Sequence, residues 1–193
     1  ELDRQMSRLM DEILHAPPFQ ELESSWRALK LLVDRTDFRE NISIQLLHAT
    51  KEELLDDFEY ATELTQSGFY QHLYASGYGQ FGGEPIAAVI GDYAFNHSAA
   101  DIKLLQYLAA VGAMAHAPFI ASAAPSFFGL DSYSELPAIK DLKSVFEGPA
   151  HTRWRSLRES EDARYLGLTA PQFLVRLPYD PSNNPIKGFH YQE

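Results

Sequence analysis
A carboxylate, an imidazole and two hydroxyls stand in order along the middle of the chain: Asp92, His97, Ser122 and Ser126. These are the parts of an acyl-transfer set, in which an imidazole takes the hydroxyl proton and a carboxylate orients the imidazole. Asp92 and His97 follow one candidate strand, Ser122 and Ser126 a second. Ligands of open α/β sheets sit beyond the carboxyl ends of parallel strands, so the four residues could share the crevice of a hydrolase-like enzyme with its site near Asp92. The competing account is local: Asp92, Asn96 and Ser98 cap a turn and the helix that follows.

Other motifs carry less. Gly77-x-Gly79-x-x-Gly82 matches the dinucleotide fingerprint letter for letter. That fingerprint must follow a strand and open a helix, so that the helix N-terminus faces the pyrophosphate. Here the glycines follow a helical pattern and lead into a strand, which reads as a mobile loop over 77–83. The histidines (His15, His48, His72, His97, His116, His151, His190) show no HxxxH or HExxH spacing, and there is no cysteine. Neither a metal centre nor a thiol nucleophile is expected. A G-x-S-x-G elbow and a Walker A motif are both absent, so no cofactor is expected.

Arg153, Arg155, Arg158 and Arg164 crowd into one short stretch with Glu159, Glu161, Asp162, Trp154 and Tyr165. On a chain of net charge −11 this is a local basic cluster. A solvated helix face laced with ion pairs explains it. So does a protein–protein contact, where Trp and Arg are enriched. Both readings stay open, and the four arginines are the candidate interface residues.

The elements that must position these groups centre on 84–125. Pro85–Gly91 is a short apolar run closed by Gly, which reads as a strand buried on both faces. Ala99–His116 is apolar around most of its circumference and carries Ser98 as N-cap, so it reads as a central helix. Pro118–Ala121 is a second buried strand. Strand, helix, strand over this distance is a parallel βαβ unit. Ala109, Ala110, Gly112, Ala113 and Ala115 let the helix lie close to the sheet.

Around this core the spacing predicts further pieces. Leu2, Met6, Leu9 and Ile13 form one helical stripe; after the break at Ala16-Pro17-Pro18, Phe19, Leu22, Trp26, Leu29 and Val33 form another. Ile42–Leu47 alternates as a strand, and Thr50-Lys51-Glu52-Glu53 is a capping box opening a helix. A helical stretch is expected over 66–74, short helices near 138–146 and 149–158, and short strands at 163–167 and 173–177. The whole is a mixed α/β (α+β) fold: a βαβ core with peripheral helices, including an N-terminal helical hairpin. The chain reads as a single domain over 1–193, with the hairpin at 1–34, the α/β core at 40–178 and a linker or truncated edge at 179–193.

Composition bounds the partners. The net charge of −11 argues against a nucleic-acid or anionic-membrane surface. The longest apolar stretch carries Asp101, Lys103 and Gln106, which opposes membrane insertion.

Four stretches, in order and spread over nearly the whole chain, resemble one family. They are Phe19-Gln20-Glu21-Leu22-Glu23-Ser24-Ser25-Trp26-Arg27-Ala28-Leu29, Ile90-Gly91-Asp92-Tyr93-Ala94-Phe95, Ala115-His116-Ala117-Pro118-Phe119-Ile120-Ala121-Ser122-Ala123 and Ser160-Glu161-Asp162-Ala163-Arg164-Tyr165-Leu166-Gly167-Leu168. The chain is similar here to the large subunit of the bacterial type VI secretion contractile sheath, the TssC, VipB, EvpB or ImpC family. The resemblance implies a structural role, not catalysis. It implies pairing with a small sheath subunit (TssB/VipA-like) and homo-association in a helical sheath around an Hcp-like inner tube. It further implies recycling by a ClpV-type AAA+ ATPase after contraction, all in the bacterial cytoplasm. Large subunits are more than twice this length, so the chain reads as a middle fragment, and a contractile phage-tail sheath would be the nearest structural cousin.

Overall fold
The computed structural model describes residues 2–79, 81–187 and 191, with the side chains of 2–4 and 76 outside that description. Gln80 in the glycine stretch, His190, the Leu2 side chain of the first stripe and residues 188–190, 192 and 193 of the expected linker therefore lie outside the described residues. The chain divides into two compact units, Glu1–Leu46 with Phe173–Glu193, and Leu47–Gln172.

The second unit holds the sheet. Strands β1 (Val89–Phe95), β2 (Phe119–Ala123) and β3 (Leu166–Thr169) lie side by side in that order, and both pairings are parallel. The mixed α/β class and the parallel βαβ unit are as the sequence predicts. The placement differs in two ways. The first strand begins at Val89 and not at Pro85, and Gly91 lies inside it, so Asp92 to Phe95 are strand, not connection. Proline lacks the N–H a ladder needs, which keeps the start of the run out of the sheet. The strand is also covered on one face only: Gly91 and Phe95 are buried while Ile90 is 59% exposed. A single helix layer accounts for this alternation. Pairing slips between Ile90 and Ala94, where a bulge puts Gly91, Asp92 and Tyr93 opposite one residue of β2. A Cβ at position 91 would stand 2.5 Å from the Phe119 ring, so glycine is what lets that ring lie across β1.

In chain order the helices are α1 (Leu2–Leu14), α2 (Pro17–Arg35), α3 (Lys51–Tyr60), α4 (Gly68–Tyr70), α5 (Ser76–Tyr78), α6 (Ala99–Ala115), α7 (Leu142–Glu147) and α8 (Thr152–Glu159).

 Short 3-10 turns join these helices, and α8 runs from Thr152 to Glu159. The centre of the second unit is α6. Ser98 caps it by accepting from the Asp101 N–H, and His116 ends it in the left-handed region at φ 55°. Ile102, Leu104, Leu105, Leu108, Ala109, Val111 and Ala115 are all buried, so the helix is enclosed nearly all round, as expected of a central helix. Gly112 makes the closest approach: a Cβ there would lie 2.8 Å from the Ala117 carbonyl and 3.3 Å from the Tyr165 Cβ. The small residues do let the helix sit tight.

The capping box at Thr50 forms in full, with Glu53 N–H on the Thr50 hydroxyl and the Glu53 carboxylate on the Thr50 N–H. It starts α3, which buries Leu54 and Phe58 against the core. The helical stretch expected over 66–74 runs from α4 through a π turn (Gln71–Ala75) into α5. Gly77 is therefore helical and not part of a loop. A Cβ at Gly77 would come within 2.8 Å of the Pro85 backbone, so close chain packing explains this glycine. Only Gly82 of the glycine stretch has a positive φ among the described residues, at 78°. The strand expected at 163–167 starts later, because Glu161–Tyr165 is a 3-10 turn.

The first unit contains α1 and α2, the two striped helices of the expected hairpin, with Pro17 and Pro18 tolerated in the first turn of α2. Their apolar stripes are largely uncovered, and Trp26 is 62% exposed. The strands expected at 42–47 and 173–177 are irregular. Alternating or apolar sequence makes a strand only where a ladder partner exists, and none is paired to either segment among the described residues; Leu46 is 71% exposed. What ties this unit is Glu23, which accepts from Arg27 Nε at 2.5 Å and from Arg176 Nε and Nη2 at 3.1 and 3.2 Å. The Arg176 hydrogen bonds are the main cause of a Glu23 carboxyl held below its ordinary value of 4.5.

Two outcomes follow from this packing. Leu105→Ala removes a fully buried side chain from α6 and is expected to cost about 2–5 kcal/mol in urea denaturation; a loss under about 1 kcal/mol would show that α6 is peripheral. Glu23 has a depressed folded-state value, so its contribution is present above about pH 4.5 and fades as pH falls through the lower folded value. The melting-temperature gap between the parent and Glu23→Gln is therefore expected to close on acidification below that point, and a gap independent of pH would refute the assignment.

Candidate interaction surface
The acyl-transfer set does not assemble. His97 Nδ1 lies 3.0 Å from the main-chain carbonyl of Ser126, not from its hydroxyl. The His97 ring also lies tilted at 39° and 5.1 Å from the ring of His151, whose Nε2 lies 2.7 Å from the Phe127 carbonyl. Asp92 is exposed on the uncovered face of β1, and Ser122 is within β2. Among the described residues no hydrogen bond joins Asp92 to His97, or His97 to a serine hydroxyl. The capping account fits part of the same stretch: Asn96 Oδ1 accepts from the Ser98 N–H at 2.7 Å, and Ser98 caps α6.

The carboxyl end of β1 is occupied by a different pair. Lys51 Nζ donates to both carboxylate oxygens of Asp101, at 2.9 and 3.0 Å, and to the Ala94 carbonyl at 3.1 Å. Asp101 also accepts from the Asn96 N–H at 2.7 Å, and the Lys51 ammonium stands 5.2 Å from the centre of the Phe95 ring. The pair thus clips α3, the end of β1 and the start of α6 together. Sequence reading placed Lys51 and Asp101 only as residues near caps; their meeting depends on a fold that brings two helix N-termini to one strand end.

The arginine stretch separates into different jobs. Arg155 is turned inward, donating to the Glu147 carbonyl at 3.1 Å and the Thr152 hydroxyl at 3.4 Å, so it ties α8 to the end of α7. Trp154 packs edge-on against Phe127 at 5.0 Å and anchors the helix. Arg153 is exposed on α8, away from the groove described next. Arg158 and Arg164 are brought together on the walls of a groove of about 620 Å³ that runs between α8 and β3. Arg164 stands 5.4 Å from the centre of the Tyr165 ring. Among the described residues none of the four arginines makes an ion pair, although Glu159, Glu161 and Asp162 are close in sequence. The self-contained ion-pair lacing is therefore absent from this stretch.

β3 forms the apolar side of the groove through Leu166, Gly167 and Leu168 and is one of the two edge strands of the sheet among the described residues. Sequence spacing did not place β3 beside α8, because that neighbourhood is set by the parallel pairing of β3 to β2. Among the described residues no group of three or more His, Cys, Asp or Glu side chains could hold a metal ion, and no helix is long and apolar enough to cross a membrane.

Comparison with known proteins gives the class. The chain belongs to the VipB family, described as EvpB/VC_A0108, tail sheath N-terminal domain, whose model matches residues 1–193. It is also 44% identical over 195 aligned positions to the type VI secretion system sheath protein TssC1 of Pseudomonas aeruginosa. That alignment covers all of this chain and 39% of the relative, so the chain spans about two fifths of the length of the curated relative it matches.

The clip at the end of β1 has a measurable consequence. Lys51→Met leaves the mostly buried Asp101 carboxylate without its cation and is expected to cost about 1–3 kcal/mol, read from the urea midpoint. An unchanged midpoint would mean that the pair is incidental to the fold.

Proposed function
We propose that this chain is the N-terminal part of a large subunit of the type VI secretion contractile sheath and that its role is structural. The observation that carries this reading is the family match over the entire chain, supported by 44% identity to a sheath protein. The whole subunit pairs with a small sheath subunit and polymerises around an Hcp-like tube in the bacterial cytoplasm. Its contraction drives secretion, and a ClpV-type ATPase recycles the contracted form. The chain performs no catalysis in this reading, and its helical hairpin and α/β core serve assembly.

Physical features support the reading. Exposed apolar residues gather on the hairpin, Met6, Leu9, Ile13, Leu22 and Trp26 among them, and such clusters mark interaction surfaces. Arg153, Arg158 and Arg164 present unpaired charge for an intersubunit contact, whereas Arg155 serves the fold.

Co-expression of the full-length subunit with its small partner is expected to yield tubules in negative-stain electron micrographs. Discrete, non-polymerising particles under the same conditions would overturn the sheath reading.

A further inference from the structure
The outward face of α3 is acidic for a structural reason. Burial of Leu54 and Phe58 fixes which side of the helix points inward. Helical spacing then turns Glu52, Asp56, Glu59 and Tyr60 outward along one side. All four are exposed, and Tyr60 is 86% exposed at the end of the helix. Three acids of the helix are already engaged: Glu53 closes the capping box, Asp57 accepts from the Gly68 and Phe69 N–H groups, and Glu59, on the outward side itself, pairs with Lys103 at 2.6 Å. Glu52 and Asp56 make no ion pair among the described residues. The opposite charge is on the same unit, in the groove where Arg158 and Arg164 flank an apolar side of Leu157, Leu166 and Leu168, with Glu161 also on the wall.

We propose that the groove of one copy receives the α3 face of a second copy. Arg158 and Arg164 meet Glu52 and Asp56 across the contact, and the Tyr60 ring lies on the apolar side of the groove. This rests on the sheath reading and names one of its contacts. Charge complementarity argues for a second copy as the occupant, because a chain of net charge −11 repels its own kind unless a basic surface faces an acidic one. The two surfaces are different, so the contact is heterologous. Each copy that uses its groove still offers its α3 face to the next, which builds an open array and not a closed pair.

Charge exchange in the full-length subunit, co-expressed with the small subunit, tests this. Arg158→Glu with Arg164→Glu reverses the groove; Glu52→Arg with Asp56→Arg reverses the face. Each reversed chain alone is expected to lose about tenfold of its sedimentable assembly. Mixed, the two reversed chains again offer opposite charges at every contact, and sedimentation is expected to return to within about threefold of the parent. Recovery in the mixture also requires that both chains be folded. Should reversal unfold a chain by circular dichroism, the milder Arg158→Gln with Arg164→Gln, folded, is expected to lose about threefold. Reversed chains that assemble like the parent overturn the contact and leave the sheath reading standing. Folded chains that fail both alone and mixed show that these two surfaces do not meet. A parent that never assembles overturns the sheath reading and this contact with it.

Discussion
Close packing at two glycines, one in α6 and one in β1, is the constraint on which the second unit depends. Gly112 has no room for a side chain, with the Ala117 carbonyl and Tyr165 where a Cβ would go, and Gly91 has none beneath Phe119. The first seats the end of α6 on the turns that lead into β2 and β3, and the second lets the Phe119 ring lie over β1; Phe95, Leu105, Leu108 and Phe119 are buried together in the same core. Interiors packed to this density do not deform gradually. Groups carried on the rim of the core therefore inherit fixed positions: the Lys51–Asp101 clip at the end of β1, and the groove beside β3.

The sheet is covered on one face only. α6 supplies a single helical layer, and the other face leaves Ile90 and Ile120 open beside Asp92. Parallel sheets usually have both faces covered. An uncovered apolar face of this kind marks an interaction surface. Here the strand end of β1 is filled by an ion pair with four polar contacts, which leaves that position to the fold.

What could be read from the residues follows the range of the interactions. The caps at Thr50 and Ser98, the prolines opening α2 and the enclosed helix α6 were legible because each depends on neighbours within a few positions. The strand limits were less so: β1 shifts along the chain because its ladder is decided by β2, and Ile42–Leu47 stays irregular although its alternation suits a strand. The four arginines could be seen as a cluster, yet only the fold sends Arg155 inward to Glu147 and brings Arg158 and Arg164 to one groove. The family, in turn, was legible from four ordered stretches and not from any period or spacing.

The separation of the arginines matters for how charge acts in this chain. An excess of eleven negative charges sets a general repulsion between copies, but screening confines it to about 8 Å at physiological salt. Beyond that distance only local arrangement counts. An arginine already bonded to a carbonyl, as Arg155 is, has little left to offer a partner, and its loss is felt in the fold. Unpaired guanidinium groups on an apolar wall are in the opposite position. Their charge is not cancelled within the unit, the wall lowers the local dielectric, and a carboxylate arriving there meets a stronger field than it would on open surface. The same wall gives little reward to a ligand without apolar atoms. A surface built this way selects for shape and charge at once.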